Sequence, residues 1–209
     1  LSAGGAFVVE VPSLRPLVEN AEFDTIYHEH LSYFTERPLA TLFKRHGLCV
    51  ERVLEQPVHG GSMRLIVRHA ESAEPTPSTQ GVFTVDWKGF GRRVQSLREN
   101  LRDWLIEMRD SGQVVCGYGA PAKGTVLLNY CGIGVDLLPV VVDSTPTKQG
   151  RYVPGTHQQI MAPESVMDWR PDAVLALAWN HVKEIVAKEA GYVAQGGKIV
   201  VPSLNNLKE

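Results

Sequence analysis

Apolar and polar positions change rhythm twice along the chain. Residues 6–11 form a short apolar run rich in β-branched side chains, which predicts a strand over Ala6–Val11. After an irregular stretch, the pattern predicts a short helix over Pro38–His46 and two alternating strands, Cys49–Leu54 and Met63–His69. Their connection, Pro57-Val-His-Gly-Gly-Ser62, contains paired glycines, so the two strands are expected to form an antiparallel hairpin. Ala70–Ser78 mixes Glu, Ser, Pro and Thr and reads as a linker. Over Arg92–Arg109 the rhythm becomes helical: Val94, Leu97, Leu101, Trp104, Leu105 and Met108 fall on one stripe, as in a helix joining domains or an ordinary surface helix.

From Gln113 onward short apolar runs alternate with helical spacing. The expected elements are strands at Val114–Tyr118, Leu137–Val142, Ala173–Ala178 and Lys198–Val201, with helices at Ala122–Asn129, Pro163–Trp169 and Val182–Glu189. Strands alternating with helices specify a parallel sheet covered on both faces, a Rossmann-like arrangement.

Composition narrows the class. Hydrophobic residues at 44 % and charged residues at 21 % support a packed core and argue against disorder. A net charge of −2 with scattered basic residues gives no electrostatic case for nucleic acid. No apolar run approaches the roughly 20 residues that span a bilayer. Cys49, Cys116 and Cys131 are odd in number and far apart, which argues against a disulfide framework and for a reducing, cytoplasmic setting. The chain opens on Leu1-Ser-Ala-Gly-Gly rather than Met and runs into an apolar strand of the kind found inside α/β sheets. The expectation is a piece of a longer protein.

The densest chemistry lies in Tyr27-His28-Glu29-His30, just beyond the first strand, where open α/β sheets place their sites. In an extended segment His28 and His30 share one face, with Tyr27 and Glu29 on the other, whereas one turn of helix spreads them. A metal reading of His-x-His lacks HExxH or a cysteine cluster, so no metal site is assigned; a polar loop of structural histidines is the plainer alternative. His59-Gly-Gly-Ser62 lets backbone approach a ligand closely, placing His59 and Arg64 near a substrate, or it is only a hairpin connection. Gly117-x-Gly119-x-x-Ala122, after a strand and before a helix, fits a glycine-rich phosphate turn. Asp143 stands about 20 residues on, at a strand end. Free amides there, including that of Ala120, would hold a diphosphate with Lys123 adding charge. Lys148 and Arg151 follow the next strand and reach phosphates from the same rim, which Asn180 shares. This constellation suits NAD as well as a sugar nucleotide.

Five stretches together resemble the nucleotide-sugar C-methyltransferase family. They are Phe7-Val-Val-Glu-Val-Pro12, Phe23-Asp-Thr-Ile-Tyr-His-Glu-His-Leu-Ser-Tyr-Phe34, His59-Gly-Gly-Ser-Met-Arg64, Gly117-Tyr-Gly-Ala-Pro-Ala-Lys-Gly124 and Lys148-Gln-Gly-Arg-Tyr-Val-Pro-Gly-Thr-His157. The resemblance implies three parts: a zinc-binding amino-terminal module, a class I S-adenosylmethionine domain and a Rossmann-like domain that helps hold a nucleoside diphosphate sugar. The zinc module and the acidic-Gly-x-Gly segment that grips the methyl donor have no counterpart here. S-adenosyl-L-methionine is therefore the expected cofactor with most of its pocket outside this chain, and zinc is expected only in that module.

The expected fold is α/β, a partial class I methyltransferase sheet followed by a Rossmann-like parallel-sheet domain. Its expected domains are 1–70, a linker and connecting helix at 71–112, and a sugar-nucleotide domain at 113–209. The expected reaction abstracts a proton beside a sugar ketone and methylates that carbon. Histidine titrates near neutrality and suits the base; a tyrosine or second imidazole suits the oxyanion. The resemblance makes His30 the base, with Tyr27 and Glu29 contacting the sugar or enolate and His28 the least defined member. The competing expectation is a nucleotide- or NAD-binding domain without catalysis of its own.

Overall fold

The computed structural model describes residues 1–72, 83–164 and 170–203. They divide into two compact units: Leu1–Glu22 with His30–Trp87, and Phe23–Glu29 with Lys88–Glu209.

In the first unit β1 (Phe7–Pro12), β2 (Leu48–Gln56) and β3 (Ser62–His69) form a sheet ordered β1-β3-β2, antiparallel at each step. The expected hairpin is β2–β3. Met63, Leu65 and Val67 alternate along β3 and are fully buried against Leu39 and Phe43 of α2 (Glu36–Arg45). The period of two on the strand thus meets an i,i+4 pair on the helix. Among the described residues β1 bonds to β3, and its Phe7 and Val8 are 48 % and 57 % exposed. A six-residue helix, α1 (Leu14–Glu19), lies in the stretch read as irregular, burying Leu17 and Val18. Pro12 and Gln56 both pair with Ser62, so the ends of β1 and β2 flank the start of β3 on its two sides.

In the second unit β4 (Val115–Tyr118), β5 (Val140–Val142), β6 (Gln159–Met161), β7 (Ala173–Ala176) and β8 (Lys198–Val200) form a parallel sheet ordered β6-β5-β4-β7-β8. From β4 the chain moves one way across the sheet, and from β7 it moves the other. Cys116, Tyr118, Val142 and Ala176 face Ile185 of α5 (Val182–Lys188) and Tyr192 of α6 (Ala190–Ala194). The opposite face takes α4 (Ala122–Cys131), where Leu127 and Leu128 are buried.

The helix α3 (Trp87–Asp110) starts five residues before the expected Arg92; Gly89 and Gly91, poor helix formers, hide this first turn from the sequence pattern, and Gly89 is buried. Arg102 of α3 donates to the carbonyls of Cys131 and Gly132 at 2.9 and 2.5 Å, placing a cation at the negative end of α4.

Two expectations shift. The strand expected from Leu137 begins only at Val140: Leu137 and Leu138 are buried in a turn, and Pro139 has no N–H for a ladder. β6 is three residues long, too short for a visible alternation. The expected helix Pro163–Trp169 has Pro163 and Glu164 in a turn, and its remainder lies outside the described residues, as does most of the Ala70–Ser78 linker. All three cysteines are free and buried; burial pushes the Cys116 and Cys131 thiols up to about 12. Among the described residues no helix is long and apolar enough to cross a membrane.

Candidate functional site

The tyrosine–histidine run emerges from a buried 3-10 turn, Phe23–Thr25. It is not extended. Tyr27 sits in a bend, half-buried, while His28 and Glu29 occupy an exposed turn. The alternation of faces expected for a strand is therefore absent, and Tyr27 and His28 instead meet edge to face, ring centroids 6.2 Å apart. Tyr27, His28 and Glu29 belong to the second unit. His30 belongs to the first and is half-buried, its ring 6.5 Å from that of Tyr33.

What fixes the turn is a cluster that the sequence pattern does not announce. The ring of Phe23 lies 4.8 Å from that of Tyr130 on α4, and Arg98 of α3 stands 5.7 Å over Tyr130. The Asp24 carboxylate is buried and accepts the indole N–H of Trp179 at 2.6 Å. The ammonium of Lys123 sits 4.2 Å over the same indole, a cation–π contact, and Lys123 too is buried. Desolvation raises the Asp24 pKa, opposed by the indole hydrogen bond and the Lys123 charge. Asp24 follows Phe23 inside the stretch that carries the family resemblance, and that is the one signal that points to it.

At the hairpin, a 3-10 turn over Val58–Gly60 precedes Gly61, and both Gly60 and Gly61 have positive φ, +90° and +135°. A Cβ on Gly61 would stand 2.5 Å from Cγ of Pro16. A cleft of about 430 Å³ opens here, lined by Ser13, Arg15, Gln56, Pro57 and Ser62 among others. The side chain of His59 lies outside the described part of the structure. Arg64 makes a two-pronged ion pair with Glu10 on β1, at 2.8 and 2.7 Å.

The glycine turn after β4 is present, with Gly119 at φ +86°. Its contacts, however, are internal. A Cβ on Gly117 would meet Val141 at 2.9 Å and Leu138 at 3.1 Å; one on Gly119 would meet Cβ of Ala178 at 2.7 Å. Asp143 accepts the Ala120 amide at 2.7 Å and the Thr145 amide at 2.8 Å, and pairs with Lys148 at 3.1 Å. Lys148 also donates to the Ala120 carbonyl at 3.0 Å. Burial raises the Asp143 pKa, but the Ala120 and Thr145 hydrogen bonds and Lys148 outweigh it, leaving the carboxyl below its ordinary value. The structure thus brings Ala120, Asp143 and Lys148 together on one another. Lys123 stands instead under Trp179, Arg151 is exposed, and Asn180 is half-buried in the 3-10 turn Trp179–His181. On the α5–α6 face of the sheet, Tyr118 donates to Glu189 at 2.8 Å; burial and that carboxylate push its phenol up. A cleft of about 640 Å³ bounded by Ser144, Gln149, Glu164, Lys188 and Glu189 opens nearby. Among the described residues no group of three or more His, Cys, Asp or Glu side chains is placed to hold a metal.

The five-stranded parallel sheet with its glycine turn in one unit, and the antiparallel sheet in the other, define a mixed α/β protein with a Rossmann-like, methyltransferase-type parallel sheet. The chain belongs to the family of the C-methyltransferase C-terminal domain, whose model matches residues 57–203. It is also 38 % identical, over 213 aligned positions, to the C-methyltransferase NovU of Streptomyces niveus, a match covering 97 % of this chain and 51 % of NovU. The chain therefore spans about half the length of that relative.

Proposed function

We propose that this chain forms part of an S-adenosylmethionine-dependent C-methyltransferase acting on a nucleotide-linked keto-deoxysugar, and that His30 removes the proton beside the ketone. The observation that carries the reading is the Tyr27-His28-Glu29-His30 run in a chain of the C-methyltransferase family. Carbon becomes nucleophilic when its proton leaves and the charge moves onto the neighbouring ketone oxygen as an enolate. Imidazole, with an ordinary pKa of about 6.5, accepts that proton near neutrality. Tyr27 offers an O–H to the developing oxyanion, and Glu29 and His28 stand beside it as polar contacts for the sugar. In the first unit, His59 of the glycine hairpin and Arg64 of β3 are the candidate contacts to the substrate. Arg151 and Lys148 supply positive charge for the diphosphate, with Asn180 on the rim.

S-adenosylmethionine supplies an electrophilic methyl. Among the described residues of the first unit no glycine turn leads from a strand into a helix, and this reading puts most of the pocket for it outside this chain. What this chain contributes is the proton step and the sugar contacts. The Asp143 contact with Ala120 occupies an amide that the diphosphate of NAD or of a sugar nucleotide would use, so it does not separate the two.

The test uses the whole enzyme with keto sugar and S-adenosylhomocysteine in deuterated water. Exchange at the carbon beside the ketone is expected in wild type and absent in His30→Gln. Undiminished exchange in the variant removes His30 as the base.

A further inference from the structure

In open α/β sheets, ligands bind between the carboxyl ends of adjacent strands from which the chain departs in opposite directions. Here those strands are β4 and β7. Three features of that place stand out. The loops after the two strands are packed so closely that a Cβ on Gly119 would lie 2.7 Å from Cβ of Ala178. The Ala120 amide, a position suited to a ligand phosphate, already serves Asp143. And Lys123, in the first turn of α4, and Trp179, three residues beyond the end of β7, hold the carboxyl group of Asp24 from the chain's own 3-10 turn.

We propose that the crevice between β4 and β7 is occupied in cis by the Phe23–Glu29 segment, and that Asp24, Trp179 and Lys123 are positioning residues for Tyr27, His28 and Glu29. The consequence for turnover rests on the reading of Tyr27–His30 as the catalytic run; the occupancy itself does not. Asp24 takes the place of a ligand's anionic group, with an indole donor and a buried ammonium as its recognition partners. Tyr27 follows three residues later, too near for the run to move independently of the turn. The parallel-sheet unit acts as a bracket for catalytic side chains and has no room for a dinucleotide at this place.

The test uses the full-length enzyme and two variants. Trp179→Phe keeps a ring beneath Lys123 and removes only the indole donor. Asp24→Asn keeps an acceptor oxygen and removes the charge facing Lys123. The first readout is amide hydrogen exchange. The Ile26 amide, which donates to the Phe23 carbonyl at 2.9 Å, and its neighbours in 23–29 are expected to exchange about tenfold faster in Trp179→Phe, the size of one buried hydrogen bond to a charged group. Amides of β4 and β7 report that the sheet remains folded; should Trp179→Phe fail that check, Asp24→Asn decides. The second readout is kinetic: kcat is expected to fall about tenfold or more with KM for the sugar within about twofold, since geometry of the reacting groups is lost rather than substrate contact. The third is calorimetric titration of the wild type with NAD and with ADP-ribose, where no saturable binding is expected.

Unchanged exchange over 23–29 in both variants overturns the bracket, and saturable NAD binding overturns the occupancy. Faster exchange with unchanged kcat overturns the positioning role. A wild type that methylates no nucleotide sugar defeats the proposed function alone, and the exchange and titration results still decide this proposal.

Discussion

His30→Gln preserves size and a hydrogen-bonding end while removing a group that titrates near neutrality. Its kcat in the whole enzyme is expected to fall about 10²–10⁴-fold, with KM for the sugar little changed, as initial-rate kinetics will show. Tyr27→Phe should also slow turnover through loss of one donor to the oxyanion. Asp143 carries a prediction about stability. Its carboxyl, 9 % exposed, satisfies two amides and Lys148, and its folded pKa lies below the ordinary 3.8. A depressed carboxyl lends stability that is fully present above the unfolded value and disappears as pH falls through the folded one. Asp143→Asn should therefore lower the urea midpoint most at neutral pH. The gap between wild type and variant should close below about pH 3.8, the unfolded reference. A gap that stayed constant down to pH 3 would show that the charge contributes nothing.

At the scale of elements, the glycines of the hairpin connection mark a close fit. Gly61 combines φ +135° with a Cβ direction that points into Pro16 of α1. Gly61→Ala is expected to cost roughly 2 kcal/mol or more in denaturant unfolding, from backbone strain and the clash together. The sequence made this hairpin legible because alternation and paired glycines speak locally. The same holds for the parallel sheet, whose strands β4 and β7 are continuous apolar runs. It did not reveal β6 or α1, each too short to show a period, nor the shortening of β5, where buried Leu137 and Leu138 look like strand residues until Pro139 is weighed. The glycine turn illustrates a different limit. Gly117-x-Gly119 has the spacing of a phosphate loop, yet its glycines are required by Val141, Leu138 and Ala178, contacts that arise only once the strands are assembled. Likewise Asp24 and Trp179 are 155 residues apart, and no local pattern joins them.

For the molecule as a whole, the edge of the first sheet matters most in handling. Among the described residues of this chain β1 is hydrogen-bonded to β3 on one side, and Val8 within it is exposed. An unpaired, apolar edge strand templates association. The 209-residue chain by itself is expected to show a concentration-dependent rise in mass by light scattering, reduced in Val8→Lys; a mass independent of concentration would count against it. The buried thiols have a practical corollary. Cys49, Cys116 and Cys131 are all buried, and burial pushes the thiols of Cys116 and Cys131 up to about 12, so the native cysteines are shielded from an alkylating reagent. One cysteine introduced at Leu31, 89 % exposed and next to His30, would be labelled selectively without first stripping the native three. A spin label or fluorophore placed there turns the protein into its own reporter on the histidine segment.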